Sequence, residues 1–169
     1  MNEEPLRELE PERLGDHIDR LYRAAVGMCG SHADAEDLVQ ETYVHVLRKP
    51  RFLRSDDDLG YLMRVLRNTF NSRYRTEVRR PRTVELEEHD ELPERRSAGA
   101  PQAAAEQSEV LAAVSALPEP YREAVAAVDL AGLSYREAAR ALRTREGTIM
   151  SRLHRGRGLV ADALGYQIS

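Results

Sequence analysis

The stretch LSYREAARALRTREGTIMSRLHRGR, residues 133–157, carries the clearest local pattern in the chain. Ser134 and Glu137 have the spacing of a capping box, in which each residue satisfies a backbone N–H near the start of a helix. Helical periodicity runs over 134–142 and resumes over 145–163, with only a tight turn between the two segments. The stretch therefore predicts a helix-turn-helix.

The second of these helices has one apolar face and one polar face. Ile149 and Leu153 stand four residues apart and are predicted to point inward, while Thr144 is placed to cap the helix start. In a helix-turn-helix the second helix lies in the major groove of DNA, where its polar side chains reach phosphates and base edges. The residues predicted to face DNA are Thr148, Ser151, Arg152, His154 and Arg155.

The rest of the chain also shows helical periodicity, and no stretch alternates as a strand does. The predicted helices are 12–29, 32–48, 57–78, 104–116, 119–131, 134–142 and 145–163. Ile18 and Leu47 are among the apolar residues placed on inward faces. Residues 81–103 lack an apolar period and are predicted to form a flexible acidic linker, either simply solvated or lying along a positive channel. We expect an all-α protein of two small domains, 1–80 and 104–169.

Charge is segregated along the sequence. The net charge is −4, yet 64–82 holds seven arginines against one acid, and 136–157 holds seven arginines against two. Acids crowd the N-terminal arm and 85–94 instead. Two arginine-rich segments in a chain of net negative charge are typical of a protein that binds nucleic-acid phosphates through particular faces. Solvent-exposed helix faces without a partner give the same pattern.

Several function classes lack their usual signals. The single cysteine, Cys29, allows no internal disulfide, and its apolar surroundings predict a buried thiol. The five histidines show no ligand spacing, and neither a glycine-rich phosphate loop nor a nucleophile turn is present, so we expect no enzyme, no metal and no cofactor. No apolar run approaches the roughly 20 residues of a membrane helix, and the acidic N-terminus differs from a signal peptide. A cytoplasmic protein without membrane insertion is expected.

Two separated stretches resemble a known family. DAEDLVQETY, residues 34–43, resembles the region 2 signature of extracytoplasmic-function (ECF) sigma factors of the sigma-70 superfamily. Residues 133–139 and 147–155 resemble their region 4 helix-turn-helix, and 117–123 resembles the segment before it. The resemblance implies a region 2 bundle of three to four helices and a four-helix region 4 domain.

The resemblance also implies partners and roles. In the family, region 2 docks on the clamp coiled coil of the largest subunit of RNA polymerase core, while the flap is a further contact of core. The positions that match the docking signature are Asp37, Leu38, Gln40, Glu41 and Tyr43. Acids and an amide at spacings of three and four share one helix face, which suits a basic partner, although a solvated acidic face has the same spacing.

A third implied site reads the −10 promoter element with a base flipped out of the duplex. Residues 52–60 and 61–74 match the loop and helix that form the pocket. Asn68 matches the pocket asparagine, and Tyr61 is either a core residue, a stacking platform or both. The arginines expected to hold phosphates are Arg64, Arg67, Arg73 and Arg75.

Some positions depart from the family pattern. Met150 and His154 replace the usual contact residues, Asn71 and Ser72 replace charged ones, and Arg143 stands where glycine is frequent. A left-handed backbone at Arg143 would cost about 1 kcal/mol.

These features together predict an alternative sigma factor that brings RNA polymerase to promoters and opens the −10 element. The family is usually held inactive by an anti-sigma factor, so such a partner is expected as well. Two alternatives stay open, namely a sigma-like mimic that titrates an anti-sigma factor and a stand-alone helix-turn-helix regulator.

Overall fold

The computed structural model describes residues 5–79 and 101–166, and within them the chain is mostly helical. The α-helices are α1 (Pro11–Leu14), α2 (Ile18–Cys29), α3 (His32–Leu47), α4 (Asp58–Arg79), α5 (Pro101–Ser115), α6 (Glu119–Val125), α7 (Tyr135–Ala141) and α8 (Glu146–Ala163). A 3₁₀ turn covers Gly15–His17 and a π-helical turn covers Ala126–Leu130. Two short strands, β1 (Arg7–Glu8) and β2 (Phe52–Leu53), pair in antiparallel fashion.

The N-terminal half is built from α2, α3 and α4 around buried apolar side chains. Leu21, Leu38, Leu62 and Leu66 are fully buried at its centre. Gly30 ends α2 in a left-handed conformation that glycine adopts without steric cost. α3 begins directly after Ser31, whose side chain accepts a hydrogen bond from the Asp34 amide. Local signals therefore set the tight reversal that places α3 beside α2.

The C-terminal half packs α6 and α7 against α8. Ile149 and Leu153 are buried, as their spacing predicts. The predicted capping box is confirmed: Ser134 Oγ accepts from the Glu137 amide at 3.1 Å, and the Ser134 amide donates to Glu137 Oε2 at 2.7 Å. Arg157 joins α8 to the π-helical turn, because its Nε and Nη2 donate to the two carboxylate oxygens of Asp129. The hydrogen bonds to Asp129 raise the pKa of Arg157.

The two halves pack on each other in one continuous apolar cluster. α2 contacts both α5 and the π-helical turn, and α4 contacts α7. The guanidinium of Arg20 donates to the carbonyl oxygens of Ala131 at 2.7 Å and Gly132 at 2.8 Å. A charged side chain of the N-terminal half therefore caps the end of a helical segment in the C-terminal half. The predicted fold class is confirmed. Most of the predicted linker lies outside the described residues.

Local predictions failed at several points. Ile18 and Leu47 are predicted to point inward, but both side chains are about half exposed. Ile18 directly follows the 3₁₀ turn, which shifts the helical phase, and Leu47 lies on the same outer face of α3 as Val44. The helix over 12–29 is divided by that 3₁₀ turn, and α5 begins at Pro101 rather than 104. The expectation of no strand is also wrong. The two-residue strands are too short to show alternation, so their pairing has no periodic signal in the sequence.

Cys29 provides a prediction of stability against pH. The thiol is partly buried and unpaired, and burial, with a smaller contribution from Asp34, raises its pKa from 9.0 to about 11. Below about pH 9 the thiol is protonated in both states, whereas between 9 and 11 the unfolded chain loses the proton first. The free energy of unfolding will therefore fall as pH rises through this window, by up to about 1.4 kcal/mol per pH unit from this group.

Urea unfolding of the unaltered chain and of Cys29→Ala at about pH 8 and about pH 10.5 measures this effect. Other groups titrate in this range, but they cancel in the comparison of the two proteins. We expect the unaltered chain to lose more stability than Cys29→Ala. Equal losses of unfolding free energy in the two proteins would show that Cys29 contributes nothing to the pH dependence of stability.

Candidate functional site

The solvent-facing side of α3 is a stripe of polar side chains. Asp37 and Gln40 are exposed, and Glu41 is partly exposed, so the three predicted polar docking residues share one accessible face. Leu38 is fully buried beneath this face. Tyr43 is half buried, and its hydroxyl donates to the Leu14 carbonyl oxygen at 2.7 Å. Burial raises the pKa of Tyr43 to about 12, so the hydroxyl remains a donor at neutral pH.

Glu41 differs from Asp37 because it already has partners within the chain. Its Oε2 lies 2.5 Å from Arg73 Nε, and its Oε1 lies 3.7 Å from His45 Nε2. The contact with Arg73 joins α3 to α4. Asp37, by contrast, has a carboxylate free to meet an external cation, since it is exposed and forms no hydrogen bond or ion pair with the residues that the structure describes.

Two apolar side chains extend this stripe, and sequence reasoning missed them. Val44 is 51% exposed and Leu47 54% exposed, each near the C-terminal end of α3. With Asp37 and Gln40 they occupy spacings of three and four, which place them on one helix face. Helical spacing alone would have found them, had Leu47 not been assigned to the core. The α3 face is defined below as Asp37, Gln40, Glu41, Val44 and Leu47.

α4 displays the residues predicted to read a melted strand. Asn68 and Arg75 are exposed, and Tyr61 is half buried against the core, so Tyr61 serves at least as a packing residue. Asp57 caps the helix start: its Oδ1 accepts from the Gly60 amide at 2.7 Å. Burial raises the pKa of Asp57, while that hydrogen bond opposes the increase.

Two arginines of α4 contact the C-terminal half. Arg67 Nε lies 3.0 Å from Oε1 of Glu123, a buried carboxylate on α6, and Asn71 Nδ2 lies 3.4 Å from the same oxygen. Arg64 donates to the Arg140 carbonyl oxygen at 3.0 Å. Arg122 stacks over the Phe70 ring at 5.1 Å. In this arrangement Arg64, Arg67 and Arg73 are all engaged within the chain, while Asn68 and Arg75 face solvent.

The second helix of the helix-turn-helix presents the predicted polar face. Ser151, His154 and Arg155 are exposed, and Thr148 and Arg152 are partly exposed. Met150, at 55% exposed, lies on the same side one turn before His154. The predicted cap by Thr144 is wrong, because α8 begins after Arg145 and has no side-chain cap. The Thr144 amide instead donates to the Ala139 carbonyl oxygen and closes the turn.

The turn contains a left-handed arginine, as the departure at this position suggested. Arg143 has φ 52°, and it is the one non-glycine residue with positive φ in the described part of the chain. Arg143→Gly will raise the free energy of unfolding by up to about 1 kcal/mol, since glycine adopts this backbone without strain but gains freedom when unfolded.

Arg136→Gly is the matched control for Arg143→Gly. Arg136 is exposed in the first turn of α7, where glycine costs up to about 1 kcal/mol relative to a good helix former. Urea unfolding will therefore give opposite signs for the two substitutions. A loss of equal size in both proteins would contradict the strain at Arg143.

Other kinds of site lack structural support in residues 5–79 and 101–166. No group of three or more His, Cys, Asp or Glu side chains there is arranged to hold a metal ion. Among the same residues, no helix is long and apolar enough to cross a membrane.

Comparisons with known proteins show the family of the chain. Residues 14–80 match the family described as Sigma-70 region 2, and residues 107–159 match Sigma-70, region 4. The chain is 34% identical to the ECF RNA polymerase sigma factor EcfG of Rhodopseudomonas palustris over 148 residues, which cover 87% of this chain and 80% of that protein. This chain belongs to the ECF sigma factors. Its relatives are transcription initiation factors rather than enzymes.

A second relative and a solved structure are also similar to the chain. The ECF RNA polymerase sigma factor SigE of Mycolicibacterium smegmatis is 34% identical over 166 residues, and the chain spans 62% of that relative's length. The sigma factor RpoE of Bartonella quintana, solved in complex with the anti-sigma factor NepR, shares the fold. Its TM-score is 0.69 at 24% identity, with 93% of this chain and 97% of that chain covered. In this sigma factor, the α3 face and α4 belong to region 2, and the helix-turn-helix belongs to region 4.

Proposed function

We propose that this sigma factor docks on RNA polymerase core through the α3 face and directs the enzyme to promoters. The observation that carries the proposal is an exposed carboxylate-and-amide face on region 2 together with an arginine-rich recognition helix on region 4 of one short chain. Asp37, Gln40 and Glu41 supply the polar contacts to the clamp coiled coil. Leu38 and Tyr43 support them from beneath, and core also holds region 4 through the flap.

DNA recognition is divided between the two halves. Asn68 and Tyr61 receive a flipped base of the −10 element, with Arg64, Arg67, Arg73 and Arg75 on the strand phosphates. Thr148, Ser151, Arg152, His154 and Arg155 meet the −35 element in the major groove. Neither half needs tight DNA affinity alone, because core polymerase holds both and raises their effective concentration. The role places the protein in the cytoplasm.

The packing of the two halves adds a requirement to this mechanism. Arg64 and Arg67 contact region 4 in the structure, so both must leave those partners before they hold a DNA strand. Docking on core is the event that separates the halves and spreads them along the promoter. The domains then act as units over 1–80 and 104–169, as the sequence predicts.

An anti-sigma partner is part of the proposal. The sigma factor of Bartonella quintana was solved bound to its anti-sigma factor, and this chain shares that fold with region 4 packed on region 2. We propose that an anti-sigma factor binds this packed state and keeps the DNA-reading arginines from promoter DNA.

Run-off transcription with purified core polymerase tests the function. Promoters are first selected from a random DNA pool by the mixture of chain and core. The sigma role predicts transcripts that depend on both the chain and the selected sequence. Specific DNA binding that does not need core would favour a helix-turn-helix regulator. Neither transcripts nor DNA binding would favour a mimic that titrates an anti-sigma factor.

A further inference from the structure

The N-terminal arm is attached to the loop that leads into α4. Strands β1 and β2 align Arg7 with Leu53 and Glu8 with Phe52. The Leu9 amide donates to the Arg51 carbonyl oxygen at 2.8 Å, and the Leu9 side chain is buried. The arm and the loop therefore form one small unit, although about 45 residues separate them in sequence.

Arg7 contacts three residues of this loop with one guanidinium. Its Nη2 donates to the Ser55 carbonyl oxygen at 3.2 Å and forms an ion pair with the Asp58 carboxylate. Its Nε lies 3.1 Å from Asp56 Oδ1. Asp58 is the first residue of α4 and is only 2% exposed, so Arg7 is the main neutralising partner of a buried carboxylate. The more distant Arg13 Nε lies 3.8 Å from Asp58.

We propose that Arg7 is a positioning residue for −10 recognition, which holds the 52–58 loop in one conformation before DNA arrives. The inference rests on the proposed function, in which this loop and α4 form the pocket for the flipped base. A loop that is already ordered avoids the entropic cost of ordering when it binds. Arginine suits the role because its planar fork donates to several acceptors at once, whereas lysine is a point charge.

The first test measures whether the loop is held. Arg51, directly before the loop, and Arg54, within it, are exposed and offer trypsin sites. Arg7→Ala should raise the cleavage rate at these sites about tenfold, because an opened loop is cleaved in proportion to its population. Glu8→Ala, on the same strand but with an exposed side chain, should cleave at the rate of the unaltered protein. An unchanged rate in Arg7→Ala would overturn the inference.

A second variant separates positioning from stability. Arg7→Ala leaves the Asp58 carboxylate buried with only the distant Arg13, so the unfolding midpoint will also fall. Arg7→Ala combined with Asp58→Asn removes that charge and should restore most of the midpoint. The loop should nevertheless stay sensitive to trypsin, because the contacts to Ser55 and Asp56 are still missing. A loop that regains protection in the double variant would overturn the positioning role.

The functional readout is promoter opening by the complex with core polymerase. Permanganate reactivity of thymines at the −10 element should fall about tenfold with Arg7→Ala and with the double variant, while affinity for core stays within about twofold. Arg7→Lys should give an intermediate value. Equal opening by Arg7→Ala and the unaltered chain would contradict the inference alone. No opening by the unaltered chain would contradict the proposed function itself, and the trypsin result would still report on the loop.

Discussion

Asp37→Arg will weaken binding of the chain to RNA polymerase core by at least about tenfold. Close charge pairs across protein interfaces have coupling energies of about 1.5–7 kcal/mol, and each 1.4 kcal/mol is a factor of ten in affinity. Asp37 is exposed and its side chain contacts no charged partner among residues 5–79 and 101–166, so its substitution leaves the fold intact. Reversing Glu41 as well will weaken binding further, but that change also breaks the contact with Arg73.

Competition binding with a fluorescent chain measures this affinity, and Asp19→Arg is the matched control. Asp19 is an exposed carboxylate on α2, in the same half of the molecule but outside the α3 face. We expect Asp19→Arg to bind core within about twofold of the unaltered chain. Equal affinities of Asp37→Arg and Asp19→Arg for core would show that α3 is not the docking surface.

Arg67→Ala will lower the free energy of unfolding by about 2–4 kcal/mol, because it leaves the Glu123 carboxylate buried without its cation. Glu123 has 3% of its side chain exposed, and of the residues that the structure describes only Asn71 then remains within hydrogen-bonding distance of its carboxylate. Glu123→Ala will cost less, about 1–2 kcal/mol, since Arg67 is 24% exposed and turns toward water when its partner is gone.

A double-mutant cycle by urea unfolding tests this asymmetry. The double variant will lose less than the sum of the two single variants, because both remove one interaction. Arg75→Ala, on the exposed side of the same helix, should lie within about 0.5 kcal/mol of the unaltered chain. If Arg67→Ala and Arg75→Ala have the same free energy of unfolding, the two halves do not pack in solution as they do in the structure.

Much of the fold could be predicted because its signals are local. Ser31 and Ser134 begin helices through contacts with residues three positions later, and such caps are visible in sequence. Helical spacing correctly placed Ile149 and Leu153 inside. The family pattern marked Arg143 as a departure, and the backbone there is left-handed. Local chemistry was sufficient in each of these cases.

The remaining features depend on contacts between distant segments. The ion pair of Arg67 with Glu123 and the bonds of Arg20 to region 4 join positions 56 and more than 110 residues apart. No spacing rule pairs such residues. β1 was missed for the same reason, because Arg7 pairs with a loop far along the chain and its strand has only two residues.

Some of the predicted site residues are accessible in the structure, and others contact partners within the chain. Asp37, Gln40, Asn68 and Arg155 were predicted as contact residues, and the structure leaves all four side chains accessible. Arg64, Arg67 and Arg73 were predicted to hold phosphates, and in the structure they hold partners within the chain. Their role on DNA therefore stays a prediction, and it requires the exchange of one set of acceptors for another.

The most direct test of the whole account compares binding of one selected promoter by the chain alone, by core polymerase alone and by their mixture. If region 2 docks on core so that both arginine surfaces engage DNA together, only the mixture will form a sequence-specific complex with melted −10 bases. Tight, specific binding by the chain in the absence of core would contradict that account.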